Sequence, residues 1–431
     1  MGLTRRGFVG ALAAAPVAAN AFAEQAVDAV PPLSRKYAGT TLRVVFGTGS
    51  SWDAINPVSQ EIAAAAGIRL ELTLANYNDR YSKMILDASS GANAFDCYAL
   101  AYQWKYEAAQ FLADLGDADK IEGAAPLDLA DYPPNLLDAY GKVDNRLIAL
   151  PLIGDVTFFV RNMEAFKGAK LPLDPPPKTW KEVFTNAQKL KSNRWIGYSM
   201  PAGKSIQTAV IWMLLLHENG GKYFDAKNMP QFNSRESLDA IHFMTNELES
   251  VSVPDNLTWD YPQVVTAFTS GQAAQSMIWA SSFGTVVDPT RSEVSDKVVW
   301  SASPGGSLLG GWGVAVNRRS RNLDAAKFWA SWLTSTPMTR RLVPLGGTPC
   351  RRSAYKYPAF VARYPQYPAM LAALEGDLLT YPPVPQAEQL HIVIFDELNA
   401  AIARTKSPEQ AAEDMQHKAM DFMTKRGLIR Q

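Results

Sequence analysis

Residues 41–101 switch repeatedly between two hydrophobic periods, and this restricts the fold more than any other feature of the chain. Thr41 to Phe46 is a short apolar run of the buried-strand kind, followed by the loop Gly47-Thr48-Gly49-Ser50-Ser51. Asp53 or Asn56 can cap a helix that runs to Ala66 and stops at Gly67. Ile68, Leu70, Leu72 and Leu74 then alternate with Arg69, Glu71 and Thr73, the period of a strand. Asn78-Asp79 can start a second helix with Tyr81, Met84, Ile85 and Ala88 on one face. Gly91 ends it, and the run Phe95 to Ala101 reads as a third strand. Strand, helix, strand, helix, strand at this spacing predicts right-handed βαβ units on a parallel sheet, an α/β fold. Ligands of such sheets bind beyond the carboxyl ends of the strands. The three loops expected there hold Ser51-Trp52, Asn76-Tyr77 and Tyr102-Gln103-Trp104, each an aromatic beside a polar group. Trp52 and Tyr77 are therefore candidate ligand contacts.

The first 23 residues read as an export signal. Arg5-Arg6 precedes an apolar run, Val9 to Ala19, and the small residues Ala21-Phe22-Ala23. Paired arginines point to the twin-arginine route and a periplasmic destination, with the working chain starting near Glu24. Residues 24–37, with Pro31-Pro32, read as a linker. No later segment offers about 18 continuous apolar residues, so a soluble mature chain is expected. At 431 residues the chain is long enough for two packed lobes. Acidic and basic residues balance at 42 each and no basic block occurs, so no nucleic-acid partner is expected. Cys97 and Cys350 are far apart, and two unpaired thiols are favoured over a bridge.

Enzyme signatures are thin. The four histidines show neither H-E-x-x-H nor any ligand spacing with Cys, so no metal is expected. Trp52 stands where G-x-G-x-x-G needs its third glycine, and no phosphate-binding P-loop or G-x-S-x-G elbow is present, so no cofactor is expected. Paired carboxylates of a glycosidase leave no fixed spacing, which keeps an exported glycoside hydrolase open as an alternative.

Further along, Pro151 to Asn162 is a proline-led apolar segment, and Pro175-Pro176-Pro177-Lys178 leads into the capping box Thr179-Trp180-Lys181-Glu182. Ala267-Phe268-Thr269-Ser270-Gly271-Gln272-Ala273-Ala274, Gly310-Gly311-Trp312-Gly313-Val314-Ala315-Val316 and Leu345-Gly346-Gly347-Thr348-Pro349 with Arg351 follow in order. Ser407-Pro408-Glu409-Gln410 opens the last helix. In order and spacing these stretches resemble the extracellular solute-binding proteins of bacterial ABC importers, in the carbohydrate-binding, maltose-binding-protein-like branch. Arg161 departs from that pattern where Tyr is usual, and Gln275 where Met is usual.

The resemblance implies a two-lobed periplasmic-binding-protein fold of type II, with a hinge between two α/β lobes and a ligand cleft. It implies lobe one from 38–150 plus 297–345 and lobe two from 151–296 plus 346–431. The function implied is capture of a carbohydrate or polyol for an inner-membrane ABC permease, by a monomer that performs no catalysis. Asp155 falls at the family's binding-carboxylate position, and Gln103 where the family often has an acid. Tyr102 and Trp104 flank Gln103, and one of them is expected to face the cleft. Trp279 lies near the family's cleft aromatic, with a register that wavers toward Ser281, and Trp312 replaces a small residue. Gln207 and Thr208 lie at a helix start, and Gln386, Glu388 and His391 precede or enter a helix that touches the cleft in relatives. Arg351 can hydrogen-bond hydroxyls or anchor an anionic sugar derivative, the other alternative reading.

Overall fold

Strand β1 (Thr41–Phe46) sends Leu42, Val44, Val45 and Phe46 into the core, as its composition requires. The computed structural model describes residues 29–429 except 365, 377 and 383, so the expected export signal lies outside the described residues. Helix α1 (Trp52–Ala65) follows and gives way at Gly67, where φ is +71°. Then come β2 (Arg69–Leu74), α2 (Tyr77–Ser90) and β3 (Cys97–Ala101). Asn76, two residues before the expected start, caps α2 by accepting from the Asp79 N–H. Only Ala75 and the capping Asn76 separate the end of β2 from the first helical residue. Tyr77 thereby becomes the first helical residue.

Later elements are β4 (Leu150–Ile153), β5 (Thr157–Asn162), α3 (Ile206–Glu218), α4 (Tyr261–Thr269), β6 (Gln275–Trp279), β7 (Val298–Ala302), β8 (Trp312–Val316) and α5 (Ala387–Ile402). One sheet has the order β2-β1-β3-β8-β4, and a second the order β6-β5-β7. β1 is parallel to β2 and β3, as the βαβ pattern predicts. β8 runs antiparallel to β3 and β4, which corrects the expectation of a wholly parallel sheet. The chain reaches β8 from the other lobe and so enters the sheet from the opposite end.

The two sheets define two lobes, and they move the expected crossings. β4 pairs within the first sheet, so the first crossing falls after Ile153 rather than at 150. β7 pairs with β5, which puts residues 298–302 in the second lobe rather than the first. Residues 346–431 do not go wholly with the second lobe. Arg352–Tyr355 packs on Thr336–Leu342, and Tyr367–Glu375 packs on Pro134–Gly141, elements that lie against α1 and β4. The physical reason is apolar packing: Tyr355, Tyr367 and Leu371 are buried on the two elements that meet Thr336–Leu342 and Pro134–Gly141.

Thr179 Oγ1 accepts from the Glu182 N–H at 3.2 Å, while the Glu182 carboxylate takes the Lys178 N–H at 2.7 Å. The capping box is thus shifted by one residue on its return arm. Cys97 and Cys350 are separate buried thiols.

Candidate ligand-binding cleft

A cavity of about 520 Å³ lies between the lobes. The first lobe supplies the loops after β1, β2 and β3, with Thr48, Ser50, Trp52, Asn76, Tyr77 and Gln103. The second supplies the starts of α3 and α4 and the end of β6, with Ser205, Gln207, Tyr261, Trp279 and Ser281. Asp155, Gly310 and Gly311 line it from the segments that join the lobes.

Trp312 organises the first-lobe wall. Its half-buried indole meets Trp52, Tyr77 and Trp104 edge-on at centroid distances of 5.7, 5.8 and 5.3 Å. Such edge contacts favour the arrangement by about 0.5–1.5 kcal/mol each beyond area burial. The Arg80 guanidinium lies over the same indole, 3.9 Å from the ring centroid, and 5.2 Å from that of Trp52. On the opposite wall the Trp279 Nε1 donates to Gln207 Oε1 at 2.8 Å. A methyl group at Gly310 would press into the face of the Trp279 ring, so only glycine lets the chain pass there. Gly311 has φ +97°, and a Cβ on it would overlap the Tyr140 hydroxyl and the Ile153 carbonyl. The glycine pair thus permits two aromatic approaches at the point where the chain enters β8.

A hydrogen-bond chain fixes the polar groups. Gln103 Nε2 donates to Tyr77 Oη at 2.7 Å, and Tyr77 Oη donates to Glu388 Oε2 at 2.7 Å. Trp104 Nε1 donates to the same carboxylate oxygen at 3.1 Å. Burial pushes the Glu388 carboxyl up, but His391 at 3.7 Å and the Tyr77 and Trp104 donors outweigh it and hold its pKa below the ordinary value. Burial, and then the charge of Glu388, push the Tyr77 phenol well up, so it stays a neutral donor.

Asp155 is buried, with 4% of its surface exposed. Its Oδ1 accepts from the Ser281 N–H at 2.8 Å and from the Val156 N–H at 3.1 Å. Burial raises its pKa to about 6, with those donors opposing the rise. Burial likewise lowers Arg80 to about 9.

Of the nine residues expected to touch ligand, the structure brings Trp52, Tyr77, Gln103, Asp155, Gln207, Trp279 and Trp312 to one cavity. It does not bring Tyr102 or Arg351. Tyr102 is buried behind the wall, donating to the Leu309 carbonyl at 2.9 Å and stacked on Tyr140. Its neighbour Trp104 is buried too, so the expectation that one of the pair faces the cleft is corrected in favour of Gln103 between them. Arg351 is 1% exposed, lies over the Tyr132 ring and donates to the carbonyls of Thr334, Leu127 and Asp128. It ties the 346–351 loop to the first lobe and is not an anion anchor in the cleft. Thr208 is also spent internally, on the Gly203 carbonyl at 2.6 Å.

Sequence reasoning passed over Arg80, Ser205, Tyr261 and Tyr381, which also line the cavity. An arginine one turn into a helix reads as solvated. The usable signal was its place four residues after the Asn76 cap, at the carboxyl end of a strand. Asp260-Tyr261-Pro262 carried a helix-start signature, and its capping box with Gln263 forms.

A family model for bacterial extracellular solute-binding proteins matches residues 51–339. A Sinorhizobium fredii protein named probable amino-acid ABC transporter periplasmic-binding protein y4oP is 46% identical over 99% of this chain and 100% of its own. The mannitol-binding protein of Pseudomonas aeruginosa is 27% identical over 62% of each chain. The crystal structure of an ABC transporter solute binding protein from Agrobacterium radiobacter K84, in complex with ribitol, shares the fold with a TM-score of 0.82. It is 22% identical and covers 91% of this chain and 100% of its own. With two sheets in two lobes and an aromatic-lined cavity between them, this chain belongs to the bacterial extracellular solute-binding proteins.

Proposed function

We propose that the protein captures a carbohydrate or polyol in the interlobe cavity and delivers it to the permease of an inner-membrane ABC importer, performing no catalysis. The observation that carries this reading is the composition of the cavity wall. The indoles of Trp52, Trp279 and Trp312 line it together with the planar amides of Gln103 and Gln207 and the carboxylate of Asp155. Flat apolar faces cover C–H surfaces, while amides and a carboxylate take hydroxyls in pairs. The polyols named for the Pseudomonas and Agrobacterium relatives agree with it. The name of the Sinorhizobium relative points instead to amino acids, and the test therefore includes them. Export by the twin-arginine route to the periplasm, with the protein acting as a monomer, completes the reading.

Thermal-shift and calorimetric titration with ribitol, D-mannitol, maltose and the standard amino acids, on protein beginning at Glu24, tests it. A ligand at 100 times its Kd stabilises by about 2.7 kcal/mol, a shift of several degrees or less for a chain of this size. Binding confined to amino acids, or turnover of nitrophenyl glycosides, would refute the proposal.

A further inference from the structure

Arg80 carries a charge that no other described residue balances. It is 6% exposed and lines the cavity. Its Nε makes one long hydrogen bond, 3.4 Å, to the Asn76 carbonyl. Nη1 is buried without a partner, and among the described residues no carboxylate pairs with the guanidinium. Arg351, comparably buried, has three carbonyl acceptors and Asp131 at 3.7 Å. A buried cation without a counter-charge is costly, and an unmet donor adds to the cost. The guanidinium lies against the Trp312 ring, and an arginine held beside an aromatic ring in this way takes a carboxylate through its N–H groups.

The second lobe offers a matching deficit. Ser205 Oγ, at the N-terminal cap of the 13-residue helix α3, is buried without a partner and lines the same cavity. The first N–H groups of a helix are free donors, and the macrodipole favours negative charge there. The lining also holds Asp79, Asp155 and Asp260 against the single guanidinium. These three carboxylates oppose a dianion, so an anion seated on Arg80 carries a single charge.

We propose that the ligand is a polyhydroxylated carboxylic acid whose carboxylate seats on Arg80, with its hydroxyls taken by the amides and Asp155. This rests on the carbohydrate-or-polyol reading and narrows it. An anion reached by donors from both lobes gains contacts only when they close, which is how a ligand shifts the equilibrium toward the closed state.

Calorimetry with matched pairs decides it: D-gluconate against D-sorbitol, and ribonate against ribitol. The expected result is an acid at least 10-fold tighter than its alditol on the unaltered protein. In R80M the loss for the acid exceeds the loss for the alditol by at least 10-fold, and R80K recovers part of the difference. Melting curves of both variants establish that they are folded; if R80M is not, the acid-to-alditol ratios of the unaltered protein and of R80K decide. Alditols bound as tightly as their acids, or equal losses for both in R80M, overturn this inference and leave the polyol reading standing. Binding of none of these four compounds overturns this inference alone, and binding confined to amino acids overturns both.

Discussion

At the scale of single residues, the cleft places two ionisable groups of opposite sign where water is scarce, and each is displaced toward its neutral form. Asp155 has a measurable consequence. Its pKa is about 6 in the folded protein and near 3.9 in an unfolded chain. The unfolded state therefore releases the proton first as pH rises. Between about pH 4 and 6 the folded state binds more protons, so stability from this group is fully present below pH 4 and is lost as pH climbs through 6. The loss amounts to roughly 2–3 kcal/mol. Asp155→Asn removes this dependence, so the ligand-free melting temperature should fall less between pH 5 and 7 in the variant than in the parent. Parallel curves for the two proteins would show that the carboxylate is not held in this way.

At the scale of elements, α5 is a helix whose first turn serves the facing lobe. Most of it packs on α3 and on the last helix, Pro408–Lys425, yet Glu388 reaches across to Tyr77 and Trp104. Two aromatic donors converge on one oxygen, so the carboxylate fixes the wall that Trp312 leans on. Glu388→Gln keeps the volume and removes the charge. Charge-assisted hydrogen bonds contribute about 1.5–3 kcal/mol each, and part of this should be lost. A lower urea midpoint is expected, with weaker ligand binding because Tyr77 is no longer held. An unchanged midpoint would mean the network adds nothing net.

At the scale of the molecule, the lobes touch at the rim of the cavity as well as at the hinge. Arg291 Nη2 pairs with Asp53 Oδ2 at 3.1 Å, and Ser50 Oγ meets Ser282 Oγ at 2.9 Å. The ion pair is about half exposed on both sides, and exposed pairs are worth about 0–1 kcal/mol. If it forms only when the lobes meet, Asp53→Ala should weaken ligand binding up to about 5-fold at low ionic strength, and the difference should shrink in high salt. Calorimetry at two salt concentrations checks this. Equal affinities at low salt would place the pair outside the closing equilibrium.

What the sequence determined by itself was local and periodic. The strand–helix alternation of residues 41–101, the Thr179 and Ser407 caps and the loops at strand ends follow from apolar spacing and backbone chemistry, and the structure has them. Of the seven expected residues found in the cleft, Trp52, Tyr77 and Gln103 were legible because loops beyond strand ends are where α/β proteins leave room, whereas Asp155, Gln207, Trp279 and Trp312 followed from the family resemblance. Only the tertiary structure decided the direction of β8, which sheet β7 joins, and the roles of Tyr102, Arg80 and Arg351. A side chain's environment is set by whatever packs on it from distant segments. Arg351 meets carbonyls from residues 127 and 128, more than 220 positions away, and is satisfied. Arg80 meets an indole from residue 312 and, among the described residues, no carboxylate. One residue type thus became a structural tie in one place and an open guanidinium facing the cavity in another.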